Sequence, residues 1–426
     1  MRELQNNYQP LQRLEVIYEG WGEYWPVGIL AAGIQRSEWL FEYSEQSIQR
    51  GIEFSPLLHP LDRTTYSDFE RHQEGIPGFI ADSLPDGWGR LLMDRLLRRN
   101  GFEPAGLSAL DRLALLGSNT MGALTYRPLV VIPGQDTHQQ DINGLILLAK
   151  EIQVEVSGQD SDVLPELVRL GGSPHGARPK VLVEFDPASG RIASSPFTGS
   201  HPWLIKFPAA QEAVWVCALE EVYARMARQA GIAFPESRWF SLGDGLSAFG
   251  VKRFDRHQGV RVPILSMAGV LQADFRLPCL DYIDILQATG MITRSVAERE
   301  IQARRMVFNV IMNNQDDHAK NFAFTLNQNR EWQVSPAYDL TFQMGPGGQH
   351  QSSVAGHGSK ISRNALLKAA KSADISEKTL NSVIAEVCEV ATSFVTSAKA
   401  LGGAIPTAVI KETAEKINAN IKALSD

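Results

Sequence analysis

The chain has 426 residues, 44% hydrophobic and 21% charged, with no low-complexity tract, which excludes a disordered or fibrous polymer and leaves room for two or three domains. A formal net charge of −7 excludes strong attraction of the whole chain to a polyanion, so contact with DNA is expected only through a basic partner. No apolar run reaches the roughly 18 residues of a membrane span, the stretch 1–7 lacks the apolar core of a signal peptide, and Cys217, Cys279 and Cys388 read as small buried hydrophobes, so a cytoplasmic protein is expected.

Residues 12–60 alternate apolar and polar positions between turn signals, at 14–18, 27–30 and 39–43, and predict a β-rich subdomain with Trp21, Tyr24 and Trp25 in its core. Asp82-Ser83-Leu84-Pro85-Asp86 is a helix start, and a further helix over 107–116 ends at Gly117. Two strands follow at 122–126 and 129–132, and the polar run 135–141 is the expected boundary. The basic clusters at 95–99 and 304–305 read as solvated helix faces.

Residues 164–170 lead into Gly171-Gly172-Ser173-Pro174-His175-Gly176-Ala177-Arg178-Pro179-Lys180 and a strand at 181–185. Glycines here allow backbone N–H groups to cradle phosphate, although such a run also makes an ordinary hairpin. The strand 203–207 carries Lys206 among apolar residues, where a lysine either snorkels or meets an anion. A helix over 212–230 then presents Glu220 and Glu221, and a hairpin turns at Gly243-Asp244-Gly245 before Lys252-Arg253-Phe254-Asp255-Arg256. Glycine loop, strand, strand with lysine, helix with glutamate and two more strands is the order of a kinase small lobe.

The apolar run 306–312 and the strand-like 322–324 bracket Asn313-Asn314-Gln315-Asp316-Asp317-His318-Ala319-Lys320-Asn321. Asp316 and Asn321 stand five residues apart, the spacing of the base and the metal-binding Asn in the kinase pattern H-R-D-x-x-x-x-N. After a second strand at 332–334, Pro336-Ala337-Tyr338-Asp339 offers another oxygen ligand. Taken alone, the same cluster also fits turn chemistry or part of a metallohydrolase site. Downstream, 344–360 is rich in glycine, histidine and serine and is expected to be mobile, 377–401 forms one helix ended by Gly402-Gly403, and Pro406 opens the last helix.

These residues resemble the HipA family, the kinase toxins of bacterial toxin–antitoxin pairs. The resemblance rests on Leu84-Pro85-Asp86-Gly87-Trp88, Gly122-Ala123-Leu124, Gly176-Ala177-Arg178-Pro179-Lys180, Lys206-Phe207, 251–256, Asp274-Phe275-Arg276, 316–322 and 336–339. It implies ATP and Mg²⁺ as cofactors, Asp316 as catalytic base, and Asn321 and Asp339 as metal ligands. It further implies Lys206 on the nucleotide phosphates with Glu220 as its helix acid, and 252–254 (Lys252, Arg253, Phe254) along the adenine. His175, Gly176, Ala177, Arg178, His318, Lys320 and Tyr338 complete the nucleotide site implied. Ser173 matches a serine that family members phosphorylate on themselves, where nearly two added negative charges repel ATP. A proline follows that serine here, and Asp317 stands where some members have glycine, adding a carboxylate near the metals.

The resulting expectation is an α+β protein with a β-rich amino-terminal subdomain (1–140) and a protein-kinase-like bilobal core, with a small lobe at 141–256 and a helical large lobe at 257–426. By resemblance it is a serine/threonine kinase toxin acting on an aminoacyl-tRNA synthetase, glutamyl foremost, and paired with a HipB-like helix-turn-helix antitoxin that supplies the only route to DNA. A small-molecule kinase of the aminoglycoside or choline type, and an inactive co-repressor subunit, are the alternatives.

Overall fold

The structure, a computed structural model, describes residues 2–3, 8–34, 38–132, 144–159, 161–171 and 174–425. Ser173 and the expected boundary at 135–141 therefore lie outside the described residues. The chain forms two compact units, one of residues 1–212 and 241–265, the other of residues 213–240 and 266–426.

In the first unit, alternation at Leu14, Val16 and Tyr18 puts every second side chain inward, which is what a half-buried strand requires. Strand Arg13–Tyr18 pairs antiparallel with Trp25–Ala32 on one side and with Leu124–Arg127 on the other, and Trp39–Tyr43 closes the sheet. Trp25 is buried and stacks on Tyr18 at 4.6 Å, whereas Tyr24, expected in the core, is exposed because the same alternation turns it outward. Helix Ala109–Leu116 starts at a reciprocal cap in which Ser108 and Asp111 satisfy each other's backbone N–H groups, and it ends at Gly117. Helix Gly87–Arg99 carries the basic run expected to be solvated. Arg95 instead reaches the fully buried Glu155 at 2.6 Å, and Arg99 donates to the Ser161 carbonyl at 3.1 Å.

A second sheet of this unit has the order Leu246–Lys252, His201–Lys206, Lys180–Phe185, Ile192–Ala193, all antiparallel. The residues Ser241–Gly243 bring the chain back through the left-handed pair Asp244 and Gly245, the turn that suits a tight hairpin.

The second unit is mostly helical. Helix Tyr282–Thr293 packs on Val296–Ile311, Tyr223 of helix Val216–Gln229 packs edge-on against Phe308 and Phe394, and the Tyr223 hydroxyl donates to the Met312 carbonyl at 2.6 Å, just past the end of Val296–Ile311. A hairpin of Ala323–Leu326 and Trp332–Val334 follows. The single helix expected over 377–401 is two, Glu377–Thr392 and Phe394–Lys399. At the break the Ser393 hydroxyl donates to the Val390 carbonyl at 2.7 Å, Phe394 turns into the core and Val395 turns out. Cys217 is buried and Cys388 half-buried, but Cys279 is exposed on a loop, where no apolar periodicity was available to bury it. Among the described residues no helix is long and apolar enough to cross a membrane.

Candidate functional site

Within the first unit the glycine-rich stretch is clasped at Gly176. Asp86 stands at the N-terminus of helix Gly87–Arg99 yet does not cap it; its Oδ1 accepts the Gly176 N–H at 2.6 Å, and the Trp88 N–H donates to the Gly176 carbonyl at 3.1 Å. Gly176 has φ +107° and Gly87 φ +38°, and a Cβ on Gly87 would lie 2.5 Å from the Gly176 carbonyl oxygen. Both the turn and the close approach therefore need glycine.

Lys180 closes this stretch, its Nζ donating to the His175 carbonyl. Strand register sets Lys180 directly opposite Lys206, and both are buried, at 2% and 7% exposure. Two like charges facing each other across a ladder repel, so burial of both requires counter-charges or acceptors close by. Lys206 also lies 6.0 Å from the Phe249 ring centre. Lys180 is the residue that reading the sequence left without a role, since its pairing with a lysine 26 positions on exists only in the register.

Arg178 donates to Glu212 at 2.9 Å, His175 is half-buried and Ala177 is exposed. Lys252, Arg253 and Phe254 are half-buried, with Lys252 opposite Trp203 in the sheet. Arg253 turns away to bond the fully buried Asp255 through Nε and Nη2, at 2.8 and 2.7 Å. Asp255 also receives Arg256 and the Gly122 N–H, joining two of the motifs picked out in the sequence. Burial alone would push the Asp255 carboxyl up, but Arg253 and Arg256 outweigh it and hold the group well below the usual carboxylate range.

Within the second unit, helix Val296–Ile311 delivers the chain to a polar loop that turns at Asn313, whose φ is +54°. Asp316 keeps nearly half of its side chain exposed, as a group that must meet a substrate needs. Asn321 Nδ2 donates to the Asp316 carbonyl at 2.7 Å, which commits the amide nitrogen and leaves Oδ1 as the ligating atom. The Tyr338 hydroxyl donates to the Lys320 carbonyl at 2.6 Å, and the Ala337 N–H to the Ala233 carbonyl at 2.7 Å, so the chain around Asp339 is tied to the residue before Asn321. Asp339 itself has φ +55°, a conformation that costs a non-glycine residue about 1 kcal/mol and is kept by these flanking bonds.

His318 Nε2 is 3.9 Å from Asp316 Oδ1, and its Nδ1 is buried without a hydrogen-bond partner among the described residues. Lys320 is buried with its Nζ 4.1 Å above the Phe275 ring, which also meets Arg276 at 4.6 Å and the His318 ring at 5.9 Å, so Asp274-Phe275-Arg276 has a packing role beside the loop. Glu220 is buried on helix Val216–Gln229; its neighbour Glu221 is taken by Arg225 and Ser237.

Three expectations change here. Arg305 is not solvated: it is buried, donates to the Ser335 carbonyl, and its pKa is lowered to about 10 by burial. The carboxylate expected near the metals at Asp317 is fully buried, and both of its oxygens accept protein donors, from Tyr282, His350 and Ser352. The stretch 344–360 is not a free loop, being bonded back to Gln315, Asp317 and Asp281.

Among the described residues no three His, Cys, Asp or Glu side chains gather as a metal cage. The donors at hand are an amide oxygen and a carboxylate, Asn321 and Asp339. Such a hard, sparse oxygen set suits Mg²⁺, which keeps waters and phosphate oxygens in its remaining positions.

Sequence comparison places this geometry. The model of the HipA-like C-terminal domain matches residues 172–394, and that of the HipA N-terminal domain matches residues 15–127. In structure, HipA of the Shewanella oneidensis toxin–antitoxin complex of HipA, HipB and operator DNA superposes with a TM-score of 0.69, at 18% identity and over 97% of both chains. The Helicobacter pylori proinflammatory kinase CtkA gives a TM-score of 0.36 at 13% identity, over 58% of this chain and 92% of that one. The Sinorhizobium fredii protein Y4dM, a kinase by its name, is 26% identical over 287 residues, which span 64% of this chain and 63% of Y4dM.

The fold is therefore α+β and HipA-like, with a β-rich amino-terminal part. The chain belongs to the HipA family.

Proposed function

We propose that the protein is an ATP- and Mg²⁺-dependent serine/threonine protein kinase of the HipA toxin type. The observation that carries this reading is the bond from Asn321 Nδ2 to the Asp316 carbonyl, together with that from the Tyr338 hydroxyl to the Lys320 carbonyl. These two bonds put the three oxygen-bearing residues of the kinase pattern on one connected pair of loops. Asp316 accepts the proton of the attacking hydroxyl and orients it toward the γ-phosphate. Asn321 and Asp339 hold Mg²⁺, which when bound neutralises charge on the phosphates. Lys206 and Lys180 bind the phosphates of ATP, and the backbone of 175–178 lies along them.

The proposed substrate is an aminoacyl-tRNA synthetase, the glutamyl enzyme first, and the proposed partner is a HipB-like antitoxin through which the pair reaches DNA. The HipA–HipB–DNA assembly of the Shewanella relative supports that pairing. Ser173 is the proposed site of autophosphorylation.

The test uses γ-labelled ATP with Mg²⁺ and purified glutamyl-tRNA synthetase, for the wild-type protein and Asp316→Ala. Label should pass to a serine or threonine of the synthetase and, by mass spectrometry, to Ser173, and both should fall by about 10²–10⁴ in the variant, the range a positioned base contributes. Equal labelling by the two proteins removes Asp316 from its role. Label found on an aminoglycoside or choline instead would replace the protein-kinase reading with a small-molecule one.

A further inference from the structure

Asp317 has no exposed surface, sits next to Asp316 in the chain, and has both carboxylate oxygens bonded within the protein. Its Oδ2 accepts from the Tyr282 hydroxyl and from the His350 ring at Nδ1, both at 2.8 Å, and its Oδ1 accepts the Ser352 N–H at 3.2 Å. The Asp317 carbonyl accepts the Ser352 hydroxyl at 2.6 Å. Tyr282 in turn accepts from Asn309 Nδ2 at 2.9 Å, and Asn309 Oδ1 accepts from Asn314 at 3.0 Å. Burial, and then Asp317 beside it, push the Tyr282 hydroxyl well above its usual pKa, so it stays protonated and donates.

A buried carboxylate is tolerated only when donors replace its lost water, and here two separate stretches supply them, a helix through Tyr282 and the stretch 343–353 through His350 and Ser352. Asn309, on a second helix, braces Tyr282 from behind. The stretch 343–353 follows Asp339, and it is also bonded to the loop at Gln315, whose N–H donates to the Gln343 carbonyl and whose carbonyl accepts the Gln351 N–H, both at 3.1 Å. Asp316 is thus held on one side through Asn321 and on the other through Asp317. A displacement of about 1 Å at a reacting group costs on the order of 10²-fold in rate.

We infer that Asp317, with His350 as its partner, is a positioning residue: it fixes the peptide that carries Asp316 and ties the catalytic loop to the chain leaving Asp339. This rests on the role proposed for Asp316. For Nδ1 of His350 to serve the carboxylate it must carry the proton, so an amide donor at position 350 should substitute for it in part.

The experiment compares Asp317→Asn, His350→Ala and His350→Gln with the wild type. Phosphoryl transfer is measured per nucleotide-binding site counted by calorimetry, and amide exchange is followed over 314–318 and 343–353. In Asp317→Asn and His350→Ala, kcat should fall about 10–100-fold with KM for ATP within about twofold. Asp317→Asn combined with His350→Ala should be little worse than either single change, as expected of residues acting through one contact. His350→Gln should recover most of the rate.

Amide exchange in both stretches should quicken together in Asp317→Asn and His350→Ala. A kcat per binding site equal to wild type, a rise in KM alone, or unchanged exchange overturns the inference. Should Asp317→Asn fail to fold, the two His350 variants decide by the same measures. A wild-type protein that transfers no phosphate would remove Asp316 as base, and amide exchange then judges the clamp by itself.

Discussion

Asp255 shows how single charges organise the first unit. It is fully buried, receives Arg253 and Arg256, and holds the Gly122 N–H at 2.9 Å. Its carboxyl lies far below the roughly 4 of an unfolded chain. Between those two values the unfolded chain binds a proton that the folded one refuses, so the contribution to stability is complete above about pH 4 and is lost as the pH falls below it. Asp255→Asn should cost about 3–5 kcal/mol at pH 7, because it leaves buried guanidinium groups short of a counter-charge. Its urea midpoint should also fall less than that of the wild type between pH 4 and 2; parallel pH profiles would show that Asp255 is not the acid-sensitive group. Residues of this kind divide sharply in how readable they are. Asp316, Asn321 and Asp339 are recognisable in the sequence as a kinase pattern by their order and by the five-residue spacing of the first two. Asp317 and Arg305 are not, because the partners that give them meaning lie 33 and 30 residues away, and Lys180 acquires its partner only through strand register. A basic residue in a helical pattern reads the same whether water or a buried Glu155 awaits it.

At the level of elements, the strands and hairpins were legible because alternation and turn chemistry are local. The strands at 14–18, 39–43, 181–185 and 332–334 fall within a residue or two of their expected places. The division of the last long helix was not, since the apolar stripe runs on through Ser393 and only the core decides that Phe394, not Val395, faces inward. The order of the stretch past Asp339 was hidden for a related reason. Glycine, histidine and serine read as slack chain, yet Ser352, Ser353 and His350 are donors that buried or capping carboxylates require. The clasp between helix Gly87–Arg99 and the glycine-rich stretch is the element contact most open to test. Gly87→Ala places a methyl group 2.5 Å from the Gly176 carbonyl oxygen at a φ that alanine avoids. Backbone must yield there, so ATP affinity should weaken by about tenfold or more, about 1.4 kcal/mol. Isothermal calorimetry reads this directly, and an unchanged Kd would mean that Gly176 can shift without consequence for the nucleotide.

Over the whole molecule the chain passes between its two compact units three times, once inside strand Ser237–Gly243, so no linker composition marks those crossings. Lys180 and Lys206 belong to the first unit, and Asp316, Asn321 and Asp339 to the second. A ligand that binds only folded protein adds RT ln(1 + [L]/Kd) to stability, about 2.7 kcal/mol at a hundredfold excess over Kd. Scanning calorimetry with ATP and Mg²⁺ should therefore raise the melting temperature by a few degrees. Replacing Mg²⁺ with a chelator should remove most of that shift, because the triphosphate's charge would then face Asp316 and Asp339 without neutralisation. In Asn321→Ala/Asp339→Ala the shift with Mg²⁺ should shrink to the value seen with chelator, while the shift contributed by the paired lysines remains. Lys206→Met should lower the affinity for ATP with or without the metal, since it removes a cation from the phosphates rather than a ligand from Mg²⁺. A Mg²⁺-dependent shift that survives loss of both Asn321 and Asp339 would place the metal elsewhere, and the assignment of these two oxygens would fall with it.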